Sequence, residues 1–323
     1  MNIQEVKISK KTIVLVILVV TTVMITYNVI TEGMKPPTID PLNLLLAFIV
    51  FFGAWLVSAI RLKTIHISLD PEKKLSLKEY LYARLLGGLM AYITPSAIGG
   101  EPARAYYLSY KCNERFSKYF ALVIYEVLYD IFVTSIGAII FSLFYLPLTI
   151  PIIIVGIANT GFWGTMYLLL ENMIDPDNAP RIIRFVVRVI NDQLSKRLGN
   201  SYTSFASSFK IIVSRMNIIR RFIVCALTIV FQILFGITIY LLGFNVYNVS
   251  IADAIIAYFL AITASALPTP GGAGTMEYGL SITLPPGLVI LSRSFIYYVT
   301  IIMGIIVLYH SGIREIIEKS TRS

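Results

Sequence analysis

The chain has 323 residues, of which 57% are hydrophobic and 14% charged, and its mean hydropathy is +0.77. Soluble domains carry about 25% charged residues, so the composition excludes a soluble enzyme, a secreted disulfide scaffold and a disordered regulator. The net charge is +9, but the basic residues lie between apolar runs and form no continuous stripe. This distribution excludes nucleic acid as a partner. The sequence therefore predicts an integral membrane protein.

Six apolar segments are long enough to cross a bilayer, whose core takes about 20 helical residues. They cover residues 12–30, 42–60, 119–145, 148–170, 222–244 and 287–309. Two further apolar segments, 80–93 and 251–267, are shorter, and each runs into a sequence rich in proline and glycine. We interpret these two as broken helices that enter the membrane and leave it on the same side.

The distribution of basic residues supports this interpretation. With two such hairpins, 24 of the 27 Lys and Arg residues fall on one side of the membrane. By the positive-inside rule that side is the cytoplasm, so we expect a multi-pass protein of the cell membrane with both termini cytoplasmic. A single crossing by each short segment would instead place four basic residues outside.

The predicted fold is an all-α polytopic membrane protein with six spanning helices and two re-entrant broken-helix hairpins, arranged as inverted-topology repeats. Residues 1–146 form the first repeat, with its hairpin at about 80–110, and residues 147–310 form the second, with its hairpin at about 251–284. Residues 311–323 form a cytoplasmic tail. The alternative is a chance pair of Gly/Pro kinks in spanning helices.

A basic insertion at residues 171–221 interrupts the second repeat. Arg181, Arg184 and Arg188 recur at helical spacing among apolar residues, which is typical of an amphipathic helix on the inner leaflet. A solvated cytoplasmic helical hairpin is an equally good interpretation of the same pattern.

Each hairpin contains a pair of glycines followed by a glutamate. The residues are Gly99, Gly100 and Glu101 in the first hairpin, and Gly271, Gly272 and Glu277 in the second. Glycine allows positive φ and close backbone approach, and a helix that starts after such a turn points its N-terminus, a site for phosphate or carboxylate, at the midplane. The two glutamates either cap the local helix dipole or pair with arginine, hold a proton or contact a lipid headgroup.

Glu126 and Asp130 lie four residues apart and share one face of the third predicted span. They are predicted to be a proton relay or an ion pair, with Arg84, Arg104 or Arg293 as the opposite charge. Arg104 and Arg293 are also candidate phosphate ligands, because the guanidinium fork matches two phosphate oxygens. The alternative role of Arg293 is to snorkel to the outer interface.

Two motifs, Thr94-Pro-Ser-Ala-Ile-Gly-Gly-Glu-Pro-Ala-Arg104 and Leu267-Pro-Thr-Pro-Gly-Gly-Ala-Gly-Thr-Met-Glu277, occur in this order, each on a broken apolar segment. With them the chain resembles the flippase-like integral membrane family related to the transmembrane region of lysylphosphatidylglycerol synthase. The resemblance implies handling of an anionic phospholipid or a polyprenyl-phosphate-linked lipid. Full synthases add a large soluble aminoacyl-transfer domain, which this sequence lacks, so aminoacylation is not expected.

We therefore expect a lipid translocase that moves or presents a lipid with a phosphate headgroup, with Glu126 and Asp130 as proton carriers if transport is proton-coupled. No catalytic residue, cofactor or metal site is predicted, since the two cysteines and two histidines show no metal-ligand spacing. Two alternatives stay open: an ion-coupled transporter of a small soluble anion, and a non-transporting accessory subunit that positions a partner glycosyltransferase. The sequence does not define the oligomeric state.

Overall fold

The computed structural model describes residues 10–33, 39–73, 75–94, 99–175 and 181–311. The regular structure of these residues is helical and comprises twelve α-helices and one short 3₁₀ turn. The helices are α1 (Lys10–Glu32), α2 (Pro41–Leu69), α3 (Leu77–Ile93), α4 (Gly100–Cys112), α5 (Phe116–Ser142), α6 (Ile150–Glu171), α7 (Arg181–Leu198), α8 (Asn200–Arg215), α9 (Ile218–Gly243), α10 (Ile251–Ala264), α11 (Thr275–Ser281) and α12 (Pro286–His310).

Among the described residues, six helices are long and apolar enough to span a membrane: α1, α2, α5, α6, α9 and α12. They coincide with the six predicted spans, which confirms the all-α polytopic prediction. One boundary was wrong. α2 was predicted to end at residue 60 and continues to Leu69, because Leu62, Ile65 and Leu69 extend its buried stripe at helical spacing.

α2 and α9 pack against each other along their length. Their contact is aromatic, with the ring of Phe51 5.2 Å from that of Phe235 and the ring of Trp55 6.2 Å from that of Phe231. α3 packs against α12 and α10 against α5, while α1 and α6 lie outside these pairs against α12 and α5. The contact of α3 with α12 thus has a counterpart in that of α10 with α5, and the contact of α1 with α12 has one in that of α6 with α5.

Two helical hairpins enter this bundle from opposite ends. The first hairpin consists of α3 and α4, and the second of α10, the turn at residues 265–274, and α11. We call the open end of each hairpin, away from its turn, its outer end, whichever side of the membrane it faces. Lys118 at the start of α5 binds Asp70, just before the outer end of the first hairpin, at 2.7 Å. Beyond the other end of α5, Tyr145 donates to Asp253 at the outer end of the second hairpin, at 3.2 Å. The inverted repeats and the re-entry of the hairpins into a bilayer stay predictions.

Glycine brings the two arms of each hairpin close together. A Cβ on Gly279 would lie 2.5 Å from Cα of Ala261, and one on Gly100 would lie 3.1 Å from Cβ of Ala91. Positive φ occurs at Gly271 and Gly272 in the second hairpin, as expected. Gly99 instead has a φ of −75°, so in the first hairpin it does not supply positive φ. Residues 95–98 of that turn lie outside the described part of the chain.

The predicted insertion at residues 171–221 contains α7 and α8 as a helical pair. α8 packs against α2, α5 and α6, and α7 packs against α8. Residues 312–323 of the predicted tail are not among the described residues.

Candidate functional site

Five charged side chains from four helices meet inside the bundle and form what we call the arginine cluster. Its members are Arg61 of α2, Arg84 of α3, Arg104 of α4, and Glu126 and Asp130 of α5. All are buried except Asp130, whose side chain is 24% exposed. The sequence predicted that Glu126 and Asp130 face an arginine, and the structure places three there.

Glu126 is the centre of the cluster. One of its oxygens, Oε1, accepts from Arg61 at 2.9 Å, and Oε2 accepts from Arg104 at 2.7 Å and from Arg84 at 3.2 Å. Asp130, one helical turn further along α5, accepts from Nη2 of Arg61 at 2.7 Å. Arg61 also donates to Thr228 of α9 at 3.0 Å, so the cluster ties the first half of the chain to the second.

Arg61 was not among the predicted site residues. It was assigned to the loop after the second span because the apolar run ends at residue 60. The signal that could have identified it is the buried stripe of Leu62, Ile65 and Leu69, which continues the helix past the charge. An arginine inside a helix at membrane depth needs an opposite charge. Once Arg61 is placed inside α2, Glu126 and Asp130 of α5 are its expected partners.

Arg104 has room for its side chain because of a glycine on the facing arm. A Cβ on Gly87 of α3 would lie 2.5 Å from Cγ of Arg104. Arg104 also donates to Glu101 at 3.1 Å, with the Glu101 side chain 33% exposed. Gly99 and Gly100 position this arm: the N–H of Gly99 donates to Oγ1 of Thr94 at 3.0 Å, and α4 starts at Gly100.

The charges of the arginine cluster are not balanced, because three guanidinium groups face two carboxylates, one of which belongs to the partly exposed Asp130. Glu101 brings the count to zero only from the partly exposed rim. Arg84 is the least satisfied member, since it shares one oxygen of Glu126 with Arg104 and its Nε has no hydrogen-bond partner in the part of the chain that the structure describes. Its guanidinium carbon lies 5.9 Å from the ring centroid of Trp55 and 5.6 Å from that of Phe231, in contact with two aromatic faces.

A second buried ion pair lies at the turn of the second hairpin. Glu277 of α11 accepts from Nε of Arg293 of α12 at 2.9 Å, and from the N–H of Gly274 at 2.7 Å. Glu277 therefore has both predicted roles, as a cap of its helix and as an arginine partner. Arg293 is 1% exposed, so the snorkelling alternative is wrong, because the glutamate holds the guanidinium inside the bundle.

Arg293 also joins the turn of the second hairpin to the first hairpin. Its Nη2 donates to the carbonyl oxygen of Gly271, and its guanidinium carbon lies 5.8 Å from the ring centroid of Tyr92, near the inner end of α3. Its remaining nitrogen, Nη1, has no hydrogen-bond partner among the residues that the structure describes. Gly271 and Gly272 form the 3₁₀ turn that brings this carbonyl to the arginine.

The predicted site residues thus fall into two separate groups rather than one. Arg104, Glu126 and Asp130 belong to the arginine cluster and Glu101 lies at its rim, whereas Gly271, Glu277 and Arg293 form the second group. α3 lies between the two groups. Arg84 in the middle of this helix belongs to the first group, and Tyr92 near its C-terminus contacts the second.

The outer end of the first hairpin carries a further set of ion pairs. Lys118 binds Asp70 at 2.7 Å and Glu114 at 3.3 Å, and Lys111 lies 3.6 Å from Glu79. Partial burial raises the pKa of Asp70, but the hydrogen bond and charge of Lys118 outweigh burial and hold this pKa below its usual value. The contact of Lys111 with Glu79 joins the end of α4 to the start of α3.

Residues 12–309 match a family model described as the lysylphosphatidylglycerol synthase transmembrane region. No curated protein and no solved structure matches the chain.

Proposed function

Since the chain belongs to the family of the lysylphosphatidylglycerol synthase transmembrane region, we propose that it binds a membrane lipid by an anionic phosphate headgroup and moves or presents that lipid across the bilayer. The family supports a membrane lipid-related role. The finer proposal is carried by one observation, the excess of guanidinium groups over carboxylates in the buried part of the arginine cluster.

An uncompensated cation at membrane depth is unfavourable, costing about 2.5–3.5 kcal/mol on insertion scales. Arg84 is the least compensated arginine of the cluster, because its contact with Glu126, at 3.2 Å, uses an oxygen that Arg104 also binds, and its Nε has no partner among the described residues. An incoming phosphate would supply the missing charge and acceptors, and the planar guanidinium fork matches two phosphate oxygens. We therefore propose Arg84 as the principal headgroup ligand, with Arg104 beside it.

We also propose that the two hairpins are re-entrant and related as inverted repeats. The first arms, α3 and α10, have 17 and 14 residues, fewer than the roughly 20 that a span needs. Their outer ends lie at opposite ends of the bundle, next to the two ends of α5. Broken helices in corresponding positions of inverted halves are typical of transporter binding sites at the midplane.

The lipid chains would remain outside the protein. Only the headgroup needs a polar path, and the outermost helices are well suited to contact lipid chains. The apolar windows of α1 and α6 are 17% and 11% buried, the lowest of the six spans. If only the headgroup enters the protein and the chains stay in the bilayer, few charges are needed inside the bundle.

The proposed role is transport or presentation without catalysis. Of the two roles predicted for Glu126 and Asp130, the contacts favour the ion pair, because each carboxylate binds at least one arginine. The proton relay stays a prediction.

Movement of fluorescent phosphatidylglycerol across liposomes tests the proposal. In phosphatidylcholine vesicles with a trace of this probe, added dithionite bleaches only the outer leaflet, so transport raises the bleached fraction above half. Arg84→Gln should slow this exchange about 10- to 100-fold, the effect of losing a hydrogen bond to a charged group. Arg115→Gln, at an exposed arginine before α5, is the matched control and should not change it.

Other outcomes identify the alternatives. Uptake of glycerophosphate without exchange of the lipid probe would favour an ion-coupled transporter of a small soluble anion. Binding of the probe without exchange would favour an accessory subunit that presents lipid to a partner such as a glycosyltransferase. Exchange that is the same with Arg84→Gln as with the unaltered protein would contradict the proposed headgroup site.

A further inference from the structure

Among its described side chains, α7 has two apolar edges, and one of them packs on the described part of the protein. Val187 is 1% exposed, and Ile190 and Leu194 pack against the core on the same edge. Phe185 and Val189, one turn apart, are 75% and 40% exposed. A helix that only covered the bundle would need one apolar edge. The exposed edge of Phe185 and Val189 therefore indicates contact with a second apolar environment.

The position of the α7–α8 pair indicates that this environment is lipid. The ring of Phe209 in α8 lies 5.7 Å from that of Tyr125 and 6.3 Å from that of Tyr167. Both tyrosines are inside candidate spans, so α8 packs at the depth of the membrane-spanning helices. α7 is held to α8 by the hydrogen bond from Tyr202 to Asn191, at 2.7 Å.

The polar side of α7 indicates the type of lipid. Arg184 and Arg188 lie one turn apart along it, with the acidic residue Asp192 one turn further, and Lys196 and Arg197 extend the basic charge around the last turn of the helix. Arg188 and Arg197 are exposed. Basic residues beside an exposed apolar edge are the pattern of a helix that lies in the surface of an anionic leaflet.

We propose that α7 is an interfacial helix that binds the surface of an anionic bilayer leaflet, with Phe185 and Val189 inserted among the acyl chains and the basic residues at the headgroups. This surface lies on the insertion between α6 and α9, apart from the arginine cluster. It would hold that end of the bundle at a fixed depth, and its binding does not depend on lipid transport.

Spin labels can test this in the full chain, in which Cys112 and Cys225 are replaced by alanine. Labels at Phe185→Cys and Val189→Cys are compared with one at Ser195→Cys, an exposed position on the polar side. In nanodiscs of phosphatidylcholine and phosphatidylglycerol, the first two labels should collide with oxygen more often than with a water-soluble nickel complex. The Ser195 label should show the reverse.

The anionic requirement is tested by changing lipid and charge. In nanodiscs of phosphatidylcholine alone, or with Arg188→Gln or Arg197→Gln, the ratio of inserted to solvated label at position 185 should fall, by about fivefold for each basic charge removed. An unchanged ratio would overturn the anionic part of the proposal. A label at position 185 as accessible to nickel as that at 195 would overturn insertion, and one shielded from both reagents would show instead that protein covers this edge.

Discussion

Arg104 in the second arm of the first hairpin donates to Glu126 of α5 at 2.7 Å, with both side chains buried. The second hairpin has the same link with the charges exchanged, since Glu277 of α11 accepts from Arg293 of α12 at 2.9 Å. In each half, one buried ion pair fixes the second arm of the hairpin to the spanning helix that follows it. The positions of both hairpins therefore depend on charge pairing inside the bundle.

Glu126→Gln should destabilise the protein strongly. The change leaves Arg61, Arg84 and Arg104 without their shared carboxylate, and breaking a buried pair costs about 3–5 kcal/mol. We expect the unfolding temperature in detergent to fall well below that of Asp192→Asn. This control removes a carboxylate whose pair with Lys196 is exposed and contributes about 0.3–0.5 kcal/mol.

The same variant separates the two roles predicted for Glu126. If it carries a proton, the amide should keep the fold intact and abolish the response of lipid exchange to a pH gradient across the vesicle. Unchanged melting together with a lost pH response would therefore contradict the ion-pair interpretation and favour the relay.

Arg293 and Glu277 should show strong energetic coupling. Arg293→Met leaves a buried carboxylate and Glu277→Gln leaves a buried guanidinium, so each single change should destabilise the protein by about 3–5 kcal/mol. The double variant removes both charges and should be more stable than the sum of the single effects predicts, by about 0.5–3 kcal/mol. Denaturant unfolding of the four proteins gives this coupling energy, and a value near zero would contradict a direct pair.

The six spans could be predicted because each is a long apolar run, and length and hydropathy are local properties of the sequence. Both short broken segments were recognised for the same reason. The end of α2 was predicted too early because the charge of Arg61 interrupts the apolar run and its carboxylate partners lie more than sixty residues away. The local sign that the helix continues is the apolar spacing of Leu62, Ile65 and Leu69.

The candidate site was predicted in parts. The shared face of Glu126 and Asp130 follows from helical spacing, and arginine partners were expected. The separation of Arg104 and Arg293 into two groups could not be predicted, because it depends on how α3 and α12 pack. That packing is set by steric fit, for example by Gly304, where a Cβ would lie 2.5 Å from Cβ of Leu89.

Gly279→Ala should separate the arms of the second hairpin. Its Cβ would lie 2.5 Å from the backbone of Ala261, which cannot move aside as a flexible side chain could. We expect a loss of about 1–3 kcal/mol, typical of overpacking. The matched control is Gly161→Ala on α6, where a Cβ meets nothing within 4 Å, so helix propensity should make that change neutral or stabilising by up to about 1 kcal/mol. Equal thermal shifts in the two variants would contradict the close contact of α10 and α11.

The ion pair between Asp70 and Lys118 should make the outer end of the first hairpin sensitive to acid. Because the folded state lowers the pKa of Asp70, its contribution to stability is present above the unfolded pKa of about 3.9 and is lost as the pH falls through the folded value. Asp70→Asn should therefore be less stable than the unaltered protein at neutral pH, by at most about 1 kcal/mol for a partly exposed pair. The two melting temperatures should converge at low pH, and a difference that persists there would contradict the charge mechanism.

Cysteine labelling should place the two ends of the bundle on opposite sides of the membrane. Asn245 follows α9 at the end where the second hairpin enters, and Ser195 lies in the α7–α8 pair at the other end. In a chain without Cys112 and Cys225, an impermeant maleimide added to intact cells should react with Asn245→Cys and not with Ser195→Cys. Both positions are exposed, so a difference in reaction reflects the side of the membrane rather than burial. Reaction of Ser195→Cys after permeabilisation is the control. Its reaction in intact cells would contradict the cytoplasmic assignment of the basic residues, which lie on the same side as Ser195.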